Sequence, residues 1–408
     1  MNNLNKEKNK TIWFFCTSEP NLLDGNDVKY RRHGQLINYL LKKNYNIILW
    51  TSTFSHFTKQ VRTNLNKTQT FNFKDNLKIF ALKTLPYNKN ISFKRYLSYF
   101  LLSREIKKNL HKFERPDLII TSIPPVEPAI EFIKFAKKNN IPSICDFRDM
   151  WPDIILDNFN FFMKLAFFPF YILMNKQLKY LRNNSKYILA VSKGMLSWIL
   201  NKSKKDVKND YLYISHQIEP SETKKYLNKI KIFYAGVIGT ANVMEKFLKF
   251  FDKLDPNIKN KFEINIAGYG DKYDLISKER KIENVNFLGW INQSEIKNLS
   301  LNSNYGLVTY ENRIDFLNNV PNKISEYLGY GLPIISTLKG ESYDLMKQKN
   351  CVYFSDIENF ENFKETMNLI ITEKNYVNLQ KNARKLFEQK FNNDNNLKKY
   401  EDIINEII

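Results

Sequence analysis

The feature that most restricts the fold is a rhythm that runs twice through the chain: an apolar run of strand length, then a stretch with apolar residues at helical spacing. Apolar runs at 10–16, 47–51, 77–82, 118–122, 143–147 and 187–191 alternate with helical patterns at 30–43, 97–113 and 127–138. The rhythm restarts near Lys229, with runs at 230–234, 262–267, 285–288, 305–309, 334–336 and 352–354 and helical patterns at 243–254, 294–300, 322–329 and 343–348. The tail, 358–408, reads as helix rich in polar residues. Strands apolar along their whole length, separated by helices, predict parallel sheets covered on both faces. Two such series in 408 residues predict two α/β, Rossmann-like domains. The polar stretch 201–228 is the expected boundary, giving domains at 1–220 and 221–385 and a C-terminal helix, 386–408, expected to return to the first domain.

Composition narrows the chemistry less. The hydrophobic fraction of 43% suits folded cores. Cys16, Cys145 and Cys351 lie far apart, without disulfide or CxxC spacing, which fits a reducing compartment. The start, MNNLNKEKNK, has no apolar leader, and no run of about 18 apolar residues would span a bilayer. The net charge of +21 fits attraction to phosphate, and equally a general Lys and Asn bias.

In open parallel sheets ligands sit beyond the carboxyl ends of the strands, so residues that directly follow strands are the candidates. The most informative run is Asn319-Val-Pro-Asn-Lys-Ile-Ser-Glu-Tyr-Leu-Gly-Tyr-Gly-Leu-Pro-Ile-Ile335. Pro321 suits a first helical turn, and Asn318 or Asn319 is placed to cap it. The free amides of that turn favour an anion, and Lys323 adds a charge at the same end. Glu326 lies one turn deeper on the same face, placed to accept from the vicinal hydroxyls of a ribose whose diphosphate sits at the helix tip. In the first half, Asp146, Arg148 and Asp149 follow a strand directly, where charged residues are placed for substrate contact or catalysis, or pair locally to close the turn before Trp151-Pro152. The loop 18–27 follows the first strand, where Gly25 allows close backbone approach. His33, at a helix start, is open to two readings, a substrate contact or a surface histidine. Residues 154–182 are dense in Phe, including Phe161, Phe162, Phe167 and Phe168, beside Lys176, Lys179 and Arg182. This composition suits an interfacial segment on an anionic membrane, or a helix that covers the sheet.

The 319–335 run resembles the donor-site motif of family 4 glycosyltransferases, P-x-K-x-x-E-Y-x-x-x-G-x-P-V-I, and the resemblance extends over most of the chain. Phe233-Tyr-Ala-Gly-Val-Ile-Gly239 is similar to the family's glycine loop, Ile266-Ala-Gly-Tyr-Gly-Asp271 to its second strand and turn, Asn286-Phe-Leu-Gly-Trp-Ile291 to the loop beside the nucleotide base, and Tyr305-Gly-Leu-Val-Thr-Tyr310 to the strand before the donor motif. Asp146-Phe-Arg-Asp-Met-Trp-Pro-Asp153 is similar to the D-x-R-D-x-W-P segment of the subgroup that builds surface polysaccharides and aminosugar glycans, such as capsule and O-antigen.

The resemblance implies a GT-B fold, two Rossmann-like domains facing across a cleft, with an acceptor-binding first domain and a nucleotide-sugar-binding second. It implies donor contacts at Gly236, Gly239, Gly268 and Trp290 beside Asn318, Asn319, Pro321, Lys323 and Glu326, an acceptor-side role for Arg95, and retention at the anomeric carbon. The expected co-substrate is a UDP-sugar, hexosyl or N-acetylaminosugar. The expected acceptor is a lipid-diphosphate-linked or polysaccharide glycan at the inner face of the plasma membrane. No cluster has metal-ligand spacing, so no metal or other obligatory cofactor is expected, and no nucleic-acid motif is visible. Two departures stand out: the first of the family's paired glutamates is Asn318 here, and the glycine loop lacks its usual Arg, with Lys246 deeper in the following helix. Three alternatives remain open: a GT-B-shaped nucleotide-sugar epimerase, an inactive relative, and a non-catalytic basic protein that binds membrane or nucleic acid.

Overall fold

The computed structural model describes residues 9–25, 28–56, 58–62, 66–156, 159–220, 229–239, 241–279 and 282–408. The N-terminal stretch before Asn9, Asn26 and Asp27 of the first loop, Thr240 of the glycine loop, and 221–228 of the expected boundary lie outside it.

The chain divides into two compact units, Met1–Leu212 with Leu397–Ile408, and Tyr213–Asn396. In the first, β1 (Thr11–Phe15), β2 (Asn46–Ser52), β5 (Gln69–Lys74), β6 (Leu77–Leu82), β7 (Leu118–Ile123), β8 (Ser143–Phe147), β9 (Tyr187–Ala190) and β10 (Lys208–Tyr211) form one sheet in the order β10-β9-β8-β7-β1-β2-β6-β5. All its pairings are parallel except β5–β6. A small antiparallel ribbon, β3 (Phe54–Ser55) with β4 (Gln60–Val61), projects from the carboxyl end of β2. Alternate residues of each strand enter opposite cores. Ile12, Phe14, Ile47 and Leu49 pack with Leu36 and Leu40 of the helix Arg32–Lys42 and with Tyr400, Ile403 and Ile404 of the C-terminal helix. Trp13, Phe15, Ile48 and Trp50 pack with Leu102, Ile106, Phe132 and Phe135 on the other face.

The second unit holds β11 (Ile230–Val237), β12 (Phe262–Tyr269), β13 (Val285–Gly289), β14 (Tyr305–Val308), β15 (Ile334–Ser336) and β16 (Val352–Phe354), all parallel, in the order β13-β12-β11-β14-β15-β16. Strand order therefore reverses at β1/β7 in one sheet and at β11/β14 in the other. Crossovers leave these two points toward opposite faces, which opens a crevice beyond the carboxyl ends of the paired strands. The C-terminal helix, Asn393–Ile407, begins in the second unit and ends in the first.

Candidate functional site

In the second unit, the residues after β11 and β14 form one constellation. β11 ends in Gly236, and β12, its neighbour in register, ends in Gly268. Both have positive φ, and a Cβ on Gly268 would come within 1.8 Å of the Gly236 carbonyl oxygen, so only glycine lets the two turns touch. Asn242 ties this turn to the end of β14. Its amide donates to the Tyr234 hydroxyl at 2.6 Å, and its carbonyl oxygen accepts from the Thr309 hydroxyl at 2.9 Å and the Met244 amide at 2.8 Å. The Tyr234 hydroxyl donates in turn to the Val237 carbonyl at 2.9 Å.

The helix Asn322–Gly329 is locked under this turn by Tyr327, whose hydroxyl accepts from the Ala235 amide at 2.8 Å; glycine at 306 leaves room for its ring. Pro321 itself occupies the cap position. Neither predicted asparagine caps the helix: Asn319 accepts from the Val320 amide, and Asn318 donates to the Ile314 carbonyl. The first intrahelical bond runs from the Ile324 amide to the Pro321 carbonyl, so the Asn322 and Lys323 amides precede it.

Lys323 is the unusual group. The residue is 9% exposed, yet its ammonium has no hydrogen-bond partner among the described residues. It lies 3.7 Å from the centroid of the Tyr234 ring and 4.9 Å from that of Tyr310, and a Cβ on Gly236 would sit 3.0 Å from Nζ. Burial pushes its pKa down to about 7, with Glu326 opposing the shift. Glu326 is half-buried and accepts from the Gln293 side chain at 3.1 Å. At the same edge Trp290, 72% exposed, follows Gly289 at the end of β13, beside exposed Tyr269 and Val237 at the ends of β12 and β11. Gly239 is half-buried on the same turn. Lys246 points elsewhere, to a surface pair with Glu358. An ammonium, a glycine turn without side chains and the start of a helix converge where an anion would lie, with flat apolar groups beside them.

In the first unit the charged residues behave differently. Asp146, at the end of β8, is fully buried and accepts from Arg32 Nε at 2.8 Å and His33 Nε2 at 2.9 Å, with the Tyr400 hydroxyl at 3.4 Å. Burial raises its pKa, but Arg32 and His33 outweigh burial and hold the carboxyl well below the usual range. Arg148 pairs with Glu19, which also accepts from the amides of His33 and Gly34 at the start of the helix Arg32–Lys42. His33 is buried, contrary to the surface reading. Burial lowers its pKa, but Asp146, Cys16 and Glu19 outweigh burial and raise it to about 9. Cys16, Glu19 and His33 hold ligand-type atoms within 4.8 Å of one another. A protonated His33 and the Arg148 guanidinium already satisfy Glu19, which disfavours a cation there. Asp149 is exposed, as is Gly25 at φ 122°.

Arg95 sits in the first turn of the helix Phe93–Asn109, boxed by the rings of Tyr87, Tyr99 and Trp151. The helix Phe161–Asn184 packs Phe170 against Tyr96 at 4.5 Å and leaves Phe161 (74% exposed), Phe162 (77%), Leu165 and Phe168 uncovered, while Phe167 packs against Phe159 and Phe170. Lys176 and Lys179 are exposed farther along it. No described helix is long and apolar enough to cross a membrane. Sequence reasoning missed Tyr234, Asn242 and Tyr310. The readable signal was position: Tyr234 lies in the second half of β11, and Asn242 and Tyr310 follow β11 and β14, the strands of the reversal.

The family model for Glycosyl transferases group 1 matches residues 215–386, which lie within the second unit. No curated protein sequence matches the chain. Among solved structures, the sucrose-phosphate synthase of Thermosynechococcus elongatus superposes with a TM-score of 0.70 at 11% identity, covering 97% of this chain and 98% of that one. The Anabaena protein HepE in complex with UDP gives 0.65 at 10%, covering 97% and 100%. WaaG, a glycosyltransferase involved in lipopolysaccharide biosynthesis, gives 0.59 at 10%, covering 92% and 95%. The fold is GT-B, with two Rossmann-like units, and the domain match with this fold supports a glycosyltransferase.

Proposed function

We propose that this chain, with a group 1 glycosyltransferase domain in its second unit, moves a sugar from a UDP-sugar to a lipid-linked or polysaccharide acceptor in cell-surface glycan synthesis. The observation that carries this reading is the buried ammonium of Lys323 beneath the Gly236 turn, which has no hydrogen-bond partner among the described residues. A buried ammonium without a partner is costly unless an anion completes it. A diphosphate over the turn would meet Lys323 and the amides of Asn322 and Lys323. Glu326 would take the ribose hydroxyls, held ready by Gln293, and Trp290 would lie beside the base. Proline at 321, asparagine at 318 and 319, and glycine at 236, 239 and 268 would shape this site.

In the reaction the bond from the anomeric carbon to the diphosphate oxygen breaks, and its electron pair leaves with that oxygen. The acceptor hydroxyl attacks the anomeric carbon, and its proton passes to the departing diphosphate on the same face, which retains configuration. Lys323 and the helix start stabilise the charge as it grows on the leaving oxygen. Asp146 acts as a positioning residue that holds Arg32 and His33, with Arg148 holding Glu19. Asp149, Gly25 and Arg95 lie on the acceptor side. UDP is the nucleotide bound by the structural neighbour HepE. The uncovered Phe161, Phe162 and Phe168 with Lys176 and Lys179 support peripheral attachment to an anionic membrane at its cytoplasmic face. An aminosugar donor is the finer expectation from the 146–153 segment.

Lys323→Ala is expected to lower turnover of a UDP-sugar by ~100-fold or more with the fold intact, the scale on which such an electrostatic contact acts. Turnover at the wild-type rate, with a donor shown to be the true one, would remove the basis of this reading.

A further inference from the structure

The ribbon that projects from β2 carries a second set of charges that the donor reading does not use. His56 Nδ1 lies 2.7 Å from the Tyr87 hydroxyl, and Lys59 Nζ lies 3.3 Å from the same nitrogen and 2.6 Å from the Asn90 side-chain oxygen. Arg95 donates to the Asn90 backbone carbonyl at 2.5 Å and to the Tyr99 hydroxyl at 2.6 Å. Lys59 and Arg95 both stand over the Tyr87 ring, at 5.0 and 5.7 Å from its centroid. One tyrosine and one asparagine therefore hold an ammonium and a guanidinium side by side.

Like charges at this range repel, and partial burial strengthens the repulsion. Lys59 is lowered by burial and by Arg95. His56 is pushed down to about 4 by burial, then by Arg95, Lys59 and Arg31, so it stays neutral. Asp149 and Glu127 also act on Arg95, but burial raises Glu127 to about 7, which leaves it only partly ionised. Burial lowers Arg95, but Tyr99, Tyr87 and Asp149 outweigh burial and raise it. Lys59 is therefore the cation the pairing disfavours, and an anion with several acceptor oxygens at this half-open position would relieve it while accepting from Arg95.

The surroundings say what carries the anion. Ile91 and Phe93 belong to the segment that supplies Asn90 and Arg95, and Phe93 is 80% exposed. Through Tyr96 and Phe170 this helix adjoins the one that bears Phe161, Phe162 and Phe168. Exposed apolar side chains thus stand on the segment that carries Arg95 and on the helix that adjoins it. We infer that Lys59 and Arg95, steadied by His56, Tyr87 and Asn90, form a binding site for the phosphate or diphosphate of a lipid-borne acceptor. This inference rests on the transferase reading but assigns a different site.

Inorganic pyrophosphate is titrated into the full chain saturated with UDP, and sedimentation is followed with phosphatidylcholine vesicles with and without phosphatidic acid. Lys59→Gln and Arg95→Gln are each expected to weaken pyrophosphate binding by about tenfold, the value of one charge-assisted contact, and to reduce the phosphatidic-acid-dependent sedimentation. Lys347→Gln removes the same charge from the second unit and should do neither. Lys59 is half-buried on the ribbon and belongs to neither face's core, so its variant decides the matter if Arg95→Gln fails to fold. Unchanged pyrophosphate affinity in Lys59→Gln overturns the site. Weakened pyrophosphate binding with vesicle binding no different from Lys347→Gln overturns the lipid assignment and points to a soluble phosphate. Failure of UDP to bind at the outset counts against the donor reading and leaves the phosphate measurement on UDP-free protein to judge this site.

Discussion

The carboxyl edges of the two sheets carry charge in opposite ways. In the first unit, Asp146, Arg32, His33, Glu19 and Arg148 pair charge with charge, and Tyr400 closes the set; His33 Nδ1, 3.6 Å from Glu19, is ion-paired but has no hydrogen bond among the described residues. In the second, Lys323 is buried too, but among the described residues its ammonium faces two rings and has no hydrogen-bond partner. Both edges sit beside a strand-order reversal, so topology alone does not separate them. Satisfaction does. A charge whose partners are all protein is bound into the fold, and a charge left without one marks where a ligand completes the structure.

The sharpest way to break this comparison is to neutralise each group and ask which property falls. Asp146→Asn keeps the shape but strands a guanidinium and an imidazolium in the interior. It should cost ~3–5 kcal/mol, the scale for removing one partner of a buried pair, read as a lower denaturation midpoint at unchanged slope. Lys323→Met should act the other way. It replaces an unpartnered ammonium by an apolar chain of similar length, so stability holds or rises while turnover falls ~100-fold. If Lys323→Met unfolds the chain and Asp146→Asn does not, the two edges have been assigned the wrong way round.

A smaller effect separates them by pH. Lys323 is buried enough to lose its proton near pH 7 in the empty site. A bound diphosphate favours the ammonium, so UDP affinity should weaken above that pH by up to about tenfold per unit, and the slope should vanish in Lys323→Met. His33 predicts the opposite kind of dependence, in stability. Its pKa is raised from the ordinary 6.5 to about 9. Its contribution is complete below 6.5 and lost as pH rises through about 9, a trend that pH-dependent denaturation would reveal.

The same contrast explains what could be read from the chain. The helix that carries Lys323 and Glu326 was legible because its proline start, its apolar spacing and its closing glycines fall within one contiguous run. The buried strands were legible because both of their faces are apolar. The edge strands Gln69–Lys74 and Lys208–Tyr211 were not, since half-exposed edges carry polar residues that read as loop. His33 was not, because its partner Asp146 is far away in sequence and arrives only through the order of β1, β7 and β8. Tyr234, Tyr310 and Asn242 stayed hidden for a similar reason. Each is an ordinary residue in or after a strand until β11 and β14 become neighbours and place Lys323 between the two rings.

The smallest expected effect extends the comparison from charge to apolar surface. Phe161 and Phe162 are the apolar counterpart of Lys323: large groups that touch each other edge to face but are left mostly exposed by the fold. Because each is mostly in water already, Phe161→Ser with Phe162→Ser removes little buried area and should change stability by no more than about 0.5 kcal/mol. Sedimentation with anionic vesicles should fall by roughly fivefold, since insertion of apolar side chains and attraction of nearby lysines act together at such a surface. Turnover with a soluble acceptor analogue should not move, because the pair lies in the first unit and the proposed donor site in the second. A large loss of stability in this variant would show that the two rings are covered in solution by protein, and that uncovered groups in this chain do not mark ligand sites.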